Sequence, residues 1–183
     1  MTGFWRHLFL ILVLAGSPDT RGTPPVASNN ESDAGRTLIV LAAPLASDPY
    51  YRPLRRDILD FQVAFARQIL GHDNVVILCD RQTLKDLAPE LPADVLLYAP
   101  MRDIWLRDYS PVIPAAPVLW RYSAAAQAGN PHDADWVQEG FVRFAGKLGL
   151  SFRRNSWILD GGNVVWDDSG QAIVSDRFLT DNH

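Results

Sequence analysis

Apolar residues fall along this chain in two periods, one suited to strands and one to helices. Residues 37–43 form a continuous apolar run of strand length, and residues 74–79 form a second with Val75-Val-Ile-Leu78 inside it. Between them Leu54, Ile58, Phe61, Phe65 and Ile69 recur at the spacing of one helix face, introduced by Pro53 and ended by Gly71. A short helix is expected over 82–87, broken by Pro89 and Pro92, and a third strand over 94–98 that runs directly into residues 101–111. Beyond Pro111 come extended pieces, among them 118–122, and then a second helix with Trp136, Val137, Phe141, Phe144 and Leu148 expected to face inward. Residues 151–154, the apolar 157–159, the turn Asp160-Gly-Gly-Asn163 and the strand 164–166 follow. A hairpin loop over 167–170 and a return strand over 171–175 complete the pattern. The order predicts a mixed α/β chain of the α+β type, with about two repeats of a strand-and-helix module.

The amino-terminal end has a different texture. Arg6 precedes the apolar run of residues 8–14, and the small residues Ala15, Gly16 and Ser17 follow. That is the order of a secretory signal, expected over residues 1–16, and it implies a secreted or periplasmic protein. The run is shorter than the roughly 20 residues a membrane anchor needs, so no stable anchor is expected. The other reading of the same run is a buried strand or helix at the start of the fold. Residues 17–36 turn to Ser, Pro, Gly, Thr, Asn and Asp without an apolar period, which predicts a flexible linker. The folded domain is then expected over 37–183.

Composition narrows the classes. Hydrophobic residues make up 48% of the 183 and charged residues 21%, which excludes a disordered chain. Seventeen basic against 21 acidic residues give a net charge of −4, which argues against a nucleic-acid partner. A single cysteine, Cys79, excludes an internal disulfide framework, and its place inside an apolar strand suits an inert thiol of raised pKa. The four histidines, at 7, 72, 132 and 183, have no metal-ligand spacing, so no metal is expected.

Two clusters carry candidate chemistry. The first is Asp103-Ile-Trp-Leu-Arg-Asp-Tyr-Ser-Pro111, just beyond a strand end, where open α/β sheets place their ligands. A turn towards Pro111 would bring Trp105 and Asp108 together. A carboxylate beside an indole is a receptor for a planar cation, because the ring face attracts positive charge and the carboxylate takes two parallel N–H bonds from a guanidinium. The competing reading is a structural ion pair of Arg107 with Asp103 or Asp108, with Trp105 in the core. The second cluster is Asp160-Gly-Gly-Asn163. Its glycines allow positive φ or close backbone approach, and an ordinary turn would use the same residues.

Taken together, these two segments resemble the first signature segments of the agmatine deiminase and bacterial-type peptidylarginine deiminase family. Their patterns are approximately Asp-x-Trp-x-Arg-Asp-x-Gly-Pro and Asp/Glu-Gly-Gly-Asn/Ser. The resemblance spans residues 37–183 and implies a partial pentein β/α-propeller, about two of its five ββαβ modules. It implies that Asp108 grips the substrate guanidinium as a catalytic carboxylate, that Trp105 lines the same pocket, and that Arg107 holds the loop. Asp160 would orient a catalytic histidine. Asn163 would support that turn and contact substrate, with Gly161 and Gly162 as structural support. The implied reaction hydrolyses agmatine (a step of putrescine biosynthesis), arginine or peptidyl-arginine to a ureido product and ammonia through a cysteine thiouronium, without metal or cofactor. Ser110 stands where the family has glycine. The family's His-x-Asp segment and late cysteine are expected after residue 183, which makes this chain the N-terminal part of such an enzyme, inactive alone. The alternative is a non-catalytic, exported module that binds guanidinium or arginine.

Overall fold

The computed structural model describes residues 12–14, 36–113, 117–123, 131–167 and 171–183. Most of the expected signal (1–16) and linker (17–36) lies outside these residues, as does the tip of the expected hairpin loop at 168–170. The first element described is strand β1 (Leu12–Leu14), which pairs antiparallel with β2 (Leu38–Ala42) in the register Leu12 to Val40. Part of the amino-terminal apolar run therefore adds a strand to the sheet.

Strands β2, β3 (Asn74–Cys79) and β4 (Leu96–Tyr98) are parallel, and the sheet order is β1-β2-β3-β4. Parallel neighbours need a crossover, supplied by helix α1 (Arg55–Ile69) between β2 and β3 and by α2 (Arg81–Leu87) between β3 and β4. Asp80 caps α2, its side chain accepting from the Thr83 N–H at 2.7 Å. Successive strand side chains point to opposite faces, and here both faces are covered. Val40, Ala42, Val76 and Leu78 share one core with Met101, Leu106, Tyr109, Val137 and Phe141. Ile39, Leu41, Val75, Ile77 and Cys79 share the other with Leu59, Val63, Ala66 and Leu87. Burial on both sides is why these strands read as unbroken apolar runs.

The second part of the chain is thinner. Strand β5 (Val118–Arg121) pairs parallel with β6 (Arg153–Ile158), connected through α3 (Pro131–Lys147). Strands β7 (Val164–Trp166) and β8 (Ala172–Val174) form an antiparallel hairpin, followed by the short helix α4 (Arg177–Asp181). A 3-10 turn over Gly161–Asn163 joins β6 to β7.

Both long helices bury a stripe that follows only part of the one the apolar spacing predicts, with Ile58, Val137 and Phe141 common to both. In α1 the buried residues are Ile58, Leu59, Gln62, Val63 and Ala66, while Leu54 is exposed. Phe61 and Phe65 stack at 5.8 Å along the margin. Small Ala66 and Val63 let the helix approach the sheet, and Gln62 joins the stripe because its Nε2 donates to the Ala42 carbonyl at 2.9 Å. In α3 the buried stripe is Ala134, Val137, Phe141 and Ala145. Trp136, expected to face inward, is 49% exposed, and its ring lies 3.8 Å from the Arg102 guanidinium carbon. Its indole finds a cation outside the core instead of apolar neighbours within it.

Candidate functional site

The loop after β4 winds tightly. The Leu106 N–H donates to the Ile104 carbonyl and the Asp108 N–H to the Trp105 carbonyl, both at 2.9 Å. The winding breaks strand alternation and brings Trp105 and Asp108 to one cavity of about 440 Å³ at the carboxyl-terminal ends of the parallel strands. Asp160, Gly162 and Asn163 line the same cavity, so both sequence clusters meet there. Its size is in the range of pockets that enclose small ligands.

Their meeting is built largely from main-chain contacts. The Gly161 N–H donates to the Asp108 carbonyl at 3.0 Å, and the Gly162 N–H donates to Asp108 Oδ1 at 2.7 Å. The two glycines serve close approach here, neither having positive φ. A Cβ at Gly161 would run into the Arg107 carbonyl and the Val112 side chain, and one at Gly162 would run into the Asp108 carboxylate. Arg107 closes the seam from the other side. Its Nε donates to the Gly161 carbonyl at 3.3 Å and its Nη2 to the Val164 carbonyl at 2.8 Å. Arg107 thus ties the loop through carbonyls, and the competing picture of a hydrogen-bonded ion pair with Asp108 does not describe it. Trp105 is half-buried at the cavity wall.

Asp160 is fixed by Ser123. Its Oδ1 accepts from the Ser123 N–H at 2.8 Å, and both carboxylate oxygens lie 3.1 Å from Ser123 Oγ. Asn163 supports the hairpin: its Oδ1 accepts from the Ser175 N–H at 3.1 Å. That bond ties up the amide oxygen of a residue expected to contact substrate.

The electrostatics favour a cation. The walls carry four carboxylates, Asp103, Asp108, Asp160 and Asp181, against one guanidinium, Arg177, which is itself paired with Asp181 at 3.0 Å. Burial pushes the Asp108 carboxyl up to about 6, and the nearby charges of Asp160 and Asp103 add to the rise. The Gly162 N–H and Arg107 pull it the other way. A cationic ligand would relieve the crowding of negative charge and favour the ionised form. Cys79 is fully buried in β3, and burial pushes its thiol up to about 12, so it offers no thiolate to the cavity.

Sequence reasoning left out Tyr51, Tyr122 and Ser123. It gave Asp103 no part beyond the structural ion pair of the competing reading. All but Ser123 line the cavity. The available signal was position: Tyr122 and Ser123 directly follow β5, and Tyr51 lies further along the loop after β2.

The charged groups lining the cavity are mainly carboxylates, and it lies at the carboxyl ends of parallel strands, where open α/β sheets place their ligands. Comparison with protein families is more specific: residues 33–183 match the Porphyromonas-type peptidyl-arginine deiminases, and the chain belongs to that family. The resemblance drawn from the two motifs is borne out. No curated protein matches the chain. Among solved structures, an agmatine deiminase from C. jejuni aligns at 14% identity with a TM-score of 0.58, covering 80% of this chain and 45% of that one. A crystal structure titled a putative peptidyl-arginine deiminase aligns at 14% identity and TM-score 0.58, over 79% of this chain and 45% of its own. The agmatine deiminase of Enterococcus faecalis aligns at 18% identity and TM-score 0.58, over 78% and 41%. The chain therefore shares part of a deiminase fold and spans less than half the length of these structures.

Proposed function

We propose that this chain supplies the guanidinium-binding part of an exported guanidine deiminase. Asp108 would take the guanidinium with paired hydrogen bonds, Trp105 would cover its face, and Asp160 would orient the histidine that serves as acid and base. In the reaction the family resemblance implies, a cysteine thiolate adds to the guanidinium carbon and the C–N bond to the departing ammonia breaks. Water then adds to the thiouronium carbon, releasing the ureido product and the thiolate. Agmatine and peptidyl-arginine are the candidate substrates, the first supported by a solved C. jejuni agmatine deiminase variant with substrate bound. The fold reading that goes with this is a pentein propeller, of which these residues form about two of five modules.

One observation carries the proposal: Asp108, raised by burial, sits in an anionic cavity beside Trp105 and is clasped by the loop that carries Asp160. The only cysteine of the 183 residues is sealed in the sheet, so the chain itself offers no nucleophile. The second reading is a non-catalytic guanidinium-binding module. Calorimetric titration with agmatine and with N-acetyl-arginine amide tests what both share. Saturable binding is expected, weakening as pH falls through about 6 because protonated Asp108 loses its charge. Asp108→Asn should lower affinity by about tenfold or more. Absence of binding would sink both readings, and carbamoylputrescine formed by the purified chain would sink the claim that it lacks a nucleophile.

Export rests on Arg6 and the apolar run that follows. A cleaved leader would take β1 with it and leave β2 at the sheet edge. Mass spectrometry of the exported product would show the new amino terminus.

A further inference from the structure

We propose that Asp103 is a positioning residue whose carboxylate, held by Tyr51, shapes the turn that aims Trp105 and Asp108 into one cavity. The inference rests on the guanidinium-binding reading above. Its ground is the hydrogen bonding around a single oxygen. Asp103 Oδ1 accepts from the Tyr51 hydroxyl at 2.6 Å, from the Ile104 N–H at 2.6 Å and from the Trp105 N–H at 3.4 Å. Two of these donors belong to the turn itself, while Tyr51 reaches in from the loop after β2. The main chain of Asp103 is anchored as well, its carbonyl accepting from the Tyr109 hydroxyl at 2.6 Å.

Asp103 is only 2% exposed, and Tyr109 is fully buried against Tyr122 and Phe141. The residue is therefore gripped from the core on one side and from the β2 loop on the other. A buried carboxylate is costly unless its oxygens are well satisfied, and here several donors converge on it. A negatively charged acceptor also makes shorter, stronger bonds than a neutral one. What the arrangement fixes is the start of the turn. From Asp103 the backbone winds through the Trp105-to-Asp108 bond to the carboxylate that Gly162 clasps. Tyr51 and Asp103 thereby couple the loops at the ends of β2 and β4, two strands that β3 separates.

Asp103 also acts at a distance on Asp108. The groups facing Asp108 are the carboxylates of Asp103 and Asp160, the Arg107 guanidinium, the Gly162 N–H and the phenols of Tyr109 and Tyr122. Removing the charge of Asp103 should make Asp108 easier to ionise.

The test is agmatine titration of the full chain across the pH range around the Asp108 midpoint, for wild type, Tyr51→Phe, Asp103→Ala and Asp103→Asn. Tyr51→Phe should weaken binding about tenfold. Asp103→Ala should weaken it more, and Asp103→Asn, which keeps an accepting oxygen, should recover most of that loss while moving the pH midpoint of binding downward. A merely structural side chain would alter affinity and leave the midpoint in place. Should Asp103→Ala fail to fold, Tyr51→Phe and Asp103→Asn still carry the test. Wild-type binding with an unaffected Tyr51→Phe, or an unmoved midpoint in Asp103→Asn, overturns this inference alone. No binding by the wild-type chain overturns the guanidinium reading together with it.

Discussion

The two parts of the molecule are held by different forces. The β2-β3-β4 sheet is closed on both faces by apolar side chains, with Ile77, Leu78 and Cys79 fully buried. The β7-β8 hairpin and α4 bury little. Their apolar cluster is Val112, Leu159 and Val164, while Val165 and Ile173 remain 66% and 74% exposed. Beyond the contact of Val112 with that cluster, hydrogen bonds join this thinner part to the loop after β4: Arg107 to the Gly161 and Val164 carbonyls, Trp166 Nε1 to the Val112 carbonyl at 2.9 Å, and Asp108 to Gly162. The cavity lies on that seam. A rigid, apolar scaffold positions one wall, and a hydrogen-bonded loop brings the other. Loss of the seam would dismantle the binding site while leaving the sheet intact.

Three substitutions probe this division. Leu78→Ala removes a fully buried side chain from the sheet and should cost about 2–5 kcal/mol. Denaturant unfolding should show it, with both parts lost together because the site loop packs on the same core. Arg107→Ala should cost about 1.5–3 kcal/mol, the range for hydrogen bonds from a charged group. Its effect should be local. Hydrogen exchange should accelerate over residues 158–167 and 171–174 and stay slow in β3, and equal acceleration in both would mean the seam is not a separate unit. Ser110→Ala should have the smallest effect and the opposite sign. Among the described residues Ser110 Oγ is buried without a hydrogen-bond partner, so removing it should raise stability by about 1 kcal/mol in a thermal melt. A destabilised Ser110→Ala would show that the hydroxyl has a partner in solution.

The contrast also explains what could be read in advance. The sheet strands were legible because burial on both faces leaves continuous apolar runs, and residues 37–43 and 74–79 fold as β2 and β3 to within a residue or two. Helix α1 was legible in extent and only in part in face: Ile58 is buried and Phe65 and Ile69 pack against the core, while Leu54 is exposed. Large apolar residues such as Phe61 and Phe65 dominate a spacing argument, whereas close helix–sheet packing prefers Val63 and Ala66. The meeting of Trp105 and Asp108 followed from expecting a turn before Pro111. The partners of Arg107 did not, because main-chain carbonyls have no sequence signature and every nearby carboxylate is a tempting substitute. The partners of Tyr51 and Ser123 were invisible for a related reason. Each acts on a residue more than thirty positions away through one hydrogen bond, and nothing in a local window records it.

Cys79 has a use that follows from its confinement. With no exposure in the folded chain and no other thiol in the sequence, it is shielded from alkylating reagents until β3 itself comes free of its neighbours. The rate at which a maleimide marks this protein would therefore clock the opening of the central sheet, a timer supplied by nature in the one place where fraying of the outer hairpin cannot trip it.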